Sequence, residues 1–129
     1  MNIPVLIAGI IGAMATIGHF TVGRKLYLRP LLNSDMELLP KKVMQTVFHY
    51  ISVYMVLSSW ILIMIGIQGE KCMFDPTLVL SFIAYNYLFF GIVQIVTALR
   101  SKIPGALLKM FQWIFWLLIA ALTLYGAFV

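Results

Sequence analysis

The chain has 129 residues, 63% of them hydrophobic and only 10% charged, with a net charge of +5. An ordinary soluble domain carries roughly 25% charged residues, so this chain has too little polar surface to cover a water-soluble core. Its few basic residues fall in loops or at helix ends without a stripe of interleaved stacking aromatics, which excludes a nucleic-acid partner.

The first predicted span covers residues 3–23, which contain no Asp, Glu, Lys or Arg and suffice to cross about 30 Å of hydrocarbon. Gly12, Ala15, Thr16, His19 and Gly23 recur at helical steps and share a face that permits close approach of another helix. The basic pair Arg24 and Lys25 follows the apolar run instead of preceding it. That polarity reads as a retained first helix with its N-terminus outside, not as a cleaved signal.

Residues 24–42 form the longest expected loop and hold five of the nine Lys and Arg residues. Arg29-Pro30 is expected to stop the first helix. Ser34 and Glu37 read as a capping box, and Pro40 suits the first turn of the next helix. The second span, 43–67, carries a polar stripe of Gln45, His49, Ser52 and Ser59 expected to face the bundle, with Val47, Tyr54, Ile61 and Ile65 opposite.

A short, nearly charge-balanced loop follows, with Glu70 and Lys71 and the single cysteine, Cys72. One cysteine excludes an intramolecular disulfide and any CxxC site. Asp75-Pro76-Thr77 reads as a helix start. The third span, 77–99, places Asn86, Gln94 and Thr97 on a broad common face. A tight basic turn with Arg100 and Lys102 leads to the fourth, 106–129, where Lys109, Gln112, Trp113 and Trp116 suit an interfacial belt.

The expectation is therefore an all-α, four-transmembrane-helix bundle forming one integral membrane domain over residues 1–129. Eight of the nine Lys and Arg residues fall in or beside the first and third loops. The positive-inside rule then puts those loops in the cytoplasm and both termini outside, in a multi-pass membrane protein.

With that topology, His19 lies about 6 Å and His49 about 9 Å from the inner ends of their helices. Gln94 and Gln112 fall in the same range, so each helix contributes one polar side chain to a layer beside Arg24, Lys25, Arg29 and Arg100. Asn86 lies deeper. Four readings fit this layer. His and Gln could simply hold the helices in register. They could line a solute or proton path, with a histidine as relay or gate. His19 and His49 could be the axial ligands of a b-type haem. A histidine could act as general base on a lipid head group, with Ser52 one turn from His49. That last reading lacks a buried acid, a GxSxG, an HExxH or a phosphate loop. A zinc site lacks ligands, and the scattered methionines do not suggest copper. The sequence is read as a non-enzymatic transport or channel-type component, with haem binding or an accessory-subunit role as alternatives. A bundle this small encloses little interior, so a homo-oligomer or a larger complex is expected.

The run Gly18-His19-Phe20, then Gly23-Arg24-Lys25, Leu28-Arg29-Pro30-Leu31-Leu32 and Val47-Phe48-His49, resembles a group of small four-span bacterial membrane proteins of unknown function. The resemblance covers the first half of the chain. It implies four helices and draws attention to the two histidines, and it brings no activity, substrate or cofactor. Small multidrug transporters carry a glutamate in their first helix, which this chain lacks.

Overall fold

The computed structural model describes residues 1–69 and 75–129, and the described residues are helical without a strand. Glu70, Lys71 and Cys72 of the expected short loop lie outside the described residues. Helix α1 (Ile3–Gly18) passes without a break into a π-helical segment (His19–Leu28) and a last turn, α2 (Arg29–Leu32). Helices α3 (Leu38–Gln68) and α4 (Pro76–Arg100) follow, then the short α5 (Ala106–Lys109) and α6 (Trp113–Phe128). Three helical stretches, Ile3–Leu32, Leu38–Gln68 and Pro76–Arg100, are long and apolar enough to cross a membrane, whereas Trp113–Phe128 is shorter.

The first helix does not stop at Arg29-Pro30. Proline has no N–H to donate, and its ring crowds the carbonyl four residues back. The helix nevertheless runs on through it, and the turns before it are π-wound, so that the Arg29 amide bonds Arg24 O, five residues back. Arg24, Lys25 and Arg29 thus stand on the helix rather than in a loop. The connecting loop shrinks to residues 33–37. Ser34 closes the first helix, its hydroxyl donating to Leu31 O at 2.7 Å, and Glu37 caps α3 without a side-chain bond. The expected capping box is therefore not formed, although Pro40 does sit in the first turn. Asp75 caps α4 as expected, accepting from the Thr77 amide at 2.9 Å.

The small residues of α1 set the closest helix contact. A Cβ at Gly9 would lie 2.8 Å from Ile63 N, one at Gly12 2.6 Å from Ser59 Oγ, and one at Gly66 2.7 Å from the Leu6 backbone. Here α1 and α3 pack backbone to backbone, as small residues permit. Asn2 ties three helix ends together. Its amide donates to Gly66 O at 2.8 Å, its side-chain Nδ2 to Gly126 O, and its Oδ1 caps α1. On the other side α6 packs on α4, where Gly91 faces Leu117. Helices α3 and α4 meet through large side chains instead: Ser58 bonds the Tyr87 hydroxyl at 2.7 Å, and Tyr54 lies edge-on to Phe90. Val5, Leu62, Leu80, Ile83, Tyr87 and Ile119 fill the core between them. The outer surface is largely apolar, with Ile17, Trp60, Leu78, Phe82, Val93 and Leu118 all exposed.

Candidate functional site

The eight basic residues outside the short 68–76 loop all stand at one end of the bundle: Arg24, Lys25 and Arg29, Lys41 and Lys42, Arg100 and Lys102, and Lys109. Just inside that end the polar side chains form two separate clusters, not the single layer expected.

The first cluster joins α1 to α3. His19 sits where α1 becomes the π segment and is half-buried. Its Nε2 lies 2.9 Å from Ser52 Oγ and 3.3 Å from Phe48 O, while Ser52 Oγ donates to Phe48 O at 2.9 Å. A serine has one proton to give. With that proton on Phe48 O, the Ser52 oxygen accepts, so Nε2 carries the imidazole hydrogen and Nδ1 holds the free lone pair. Nδ1 has no polar partner among the described residues. The ring also stacks on Phe48 with centroids 4.0 Å apart. His19, Gly23 and Leu28 face inward at steps of four and five, the spacing that the wider π winding imposes.

His49 does not join this cluster. It is exposed and meets Phe48 edge-on at 5.7 Å. Of the polar stripe on α3, Ser52 and Ser59 turn inward, Gln45 is half-buried and accepts from Lys42 Nζ at 3.1 Å, and His49 turns out. Tyr54 and Ile65, expected on the opposite side, contribute to the interior instead: Ile65 is buried, and the Tyr54 hydroxyl is buried with no partner. The donor set does not fit a haem. The Nε2 of His19 is committed as a donor, a phenyl ring covers the imidazole face, and the second histidine points elsewhere. No group of three His, Cys, Asp or Glu suited to a metal occurs among the described residues.

The second cluster explains a feature of the fourth helical region. The expected continuous span over 106–129 is broken at residues 110–112, between α5 and α6. Breaking a helix strips partners from its carbonyls, which cannot stay bare in apolar surroundings. Three side chains supply them. Trp113 Nε1 donates to Leu107 O at 3.0 Å, Tyr27 OH to Lys109 O at 3.2 Å, and Gln94 Nε2 to Met110 O at 3.1 Å. Two of these donors, Gln94 and Tyr27, are themselves linked through Gln112. Gln94 Nε2 also donates to Gln112 Oε1 at 2.7 Å, Gln112 Nε2 to the Tyr27 hydroxyl at 2.9 Å, and Trp116 Nε1 to Gln94 Oε1 at 2.9 Å. Gln94 and Gln112, expected at a common depth, meet here. The first helix reaches them through Tyr27, which the sequence reading did not single out; its place on an aromatic-basic helix end was the only signal. Asn86 stays outside both clusters, its Nδ2 donating to Phe82 O of its own helix at 2.7 Å.

No family model matches this chain, and no curated protein or solved structure matches it.

Proposed function

We propose that the chain is a non-enzymatic, four-span protein of a bacterial inner membrane, a transport- or channel-type component with its basic end in the cytoplasm and both termini outside. The observation that carries this reading is His19. An ionisable ring lies within an apolar helical stretch, half-buried, with Nε2–H fixed by Ser52 and the Nδ1 lone pair open to a proton. Intramembrane ionisable groups default to functional roles, and histidine changes charge near neutral pH. The middle of the single bundle is filled by Tyr87, Met55, Leu62 and Ile119. A solute path therefore runs between copies of the chain, or between the chain and a partner subunit. The Gln94–Gln112 cluster acts as a clasp that secures the broken helix, since its hydrogen bonds are spent on backbone carbonyls and on one another.

Proton flux into proteoliposomes tests this. The native protein is expected to carry a pH-dependent flux that falls at least tenfold in His19→Ala, with the helical signal retained and Gln112→Leu affected much less. Equal flux in native and His19→Ala protein overturns the reading.

A further inference from the structure

We propose that the inner end of α4 binds one anionic phospholipid, its acyl chain along the helix and its phosphate against Arg100 and Lys102. This inference rests on the membrane reading above.

The helix carries a groove of about 510 Å³ lined by Phe89, Phe90, Val93, Gln94, Thr97 and Met110. Its walls are almost wholly apolar. From Phe89 to Thr97 it runs about 12 Å along the helix axis. Residues three and four apart on a helix share a face, so the row Phe89, Val93, Thr97 continues onto Arg100 and Ser101. An apolar slot thus opens directly toward a cation at the end of the bundle that the other basic residues mark.

Three observations favour an anionic lipid as the occupant. First, residues 76–129 contain Arg100, Lys102 and Lys109 and not one Asp or Glu. Second, Arg100 and Lys102 are exposed and have no hydrogen bond or ion pair among the described residues. Third, Lys102 follows the C-cap of α4 with φ of 56°, a left-handed conformation that favours glycine. A lysine is held there at a conformational cost, while Gly105 takes the same region three residues on. Basic pockets at the cytoplasmic ends of membrane helices pair with lipid phosphates in this way. The shape adds the second half of the match, because a free phosphate would leave the groove unused.

The test is native mass spectrometry of the full chain, released from nanodiscs of equal phosphatidylglycerol and phosphatidylcholine. The expected result is one retained phosphatidylglycerol in several-fold excess over phosphatidylcholine. Arg100→Gln with Lys102→Gln should abolish the preference, and Val93→Trp, which fills the groove, should reduce retention of both lipids. Equal retention of the two lipids, or an unchanged preference in the double variant, overturns the site. Stabilisation by inorganic phosphate to the same degree as by phosphatidylglycerol also overturns it, since that would assign the cations to a free anion. Failure of the membrane reading has a different signature: the chain would wash out of vesicles at alkaline pH whatever their lipid.

Discussion

Two polar side chains at the basic end look alike in sequence and carry different energetic weight. Ser52 accepts from His19, but its loss leaves Nε2 with Phe48 O as a remaining acceptor. Ser52→Ala is therefore expected to cost about 1 kcal/mol or less, the usual scale of one side-chain bond between membrane helices. Gln94 is different. It donates to Met110 O and Gln112 and accepts from Trp116. Gln94→Leu leaves a backbone carbonyl and an indole N–H unpartnered in apolar surroundings, where each orphaned group costs about 1–3 kcal/mol. Denaturant titration in mixed micelles should rank Gln94→Leu well below Ser52→Ala. The reverse order would remove the claim that the clasp holds the broken helix. The similar depth of Gln94 and Gln112 was legible by counting from the basic loop, whereas their contact, made where the fourth helical region breaks, was not. The choice of His49 as partner to His19 was not, since depth fixes height and says nothing about which way a residue turns around its helix.

At the level of elements, local signals were readable and long-range ones were not. Asp75-Pro76-Thr77 and Pro40 lie where helix-start chemistry puts them, because capping depends on a few adjacent residues. The break before α6 has no proline or glycine at residues 110–112 to announce it. It is stabilised by Tyr27, 82 residues away from the carbonyl it serves. The π segment was not readable either, since proline more often ends a helix than lies within one that continues. The small-residue face of α1 was legible at Gly12 but not at Gly9, and the α1–α3 contact yields a contrast between Gly66 of α3 and Gly18 of α1. Gly66→Val would drive side-chain atoms into the Leu6 backbone 2.7 Å from the added Cβ, and overpacking of that kind costs about 1–3 kcal/mol. Gly18→Ala meets nothing within 4 Å and gains helix propensity, so it should be neutral or stabilising by up to about 1 kcal/mol. If both substitutions have the same effect on thermal unfolding, the α1–α3 contact is not the one described.

For the whole molecule, the question is whether α6 crosses. Its 16 residues give about 24 Å, short of the roughly 30 Å of a typical hydrocarbon core. Two features support the proposal that it crosses all the same. Its far end meets the start of α1, where Asn2 Nδ2 bonds Gly126 O and Val5 packs on Gly126, so residues 2 and 126 share one end of the bundle. At its near end, the α5 turn and residues 110–112 extend the apolar length and Trp113 suits the interface, while Trp116, expected there too, stacks on Tyr87 in the core instead. A short span is accommodated by local thinning of the bilayer at modest cost. The polar loop 33–37 lies at the opposite, basic end, which the charge rule assigns to the cytoplasm. An alkaline phosphatase fused after Val129 should therefore be active outside, and one inserted after Met36 should be silent. Silence at both positions would mean that α6 does not cross and would reduce the protein to three spans. Activity after Met36 would invert the bundle, and the cations assigned to the inner leaflet would then face the outer one.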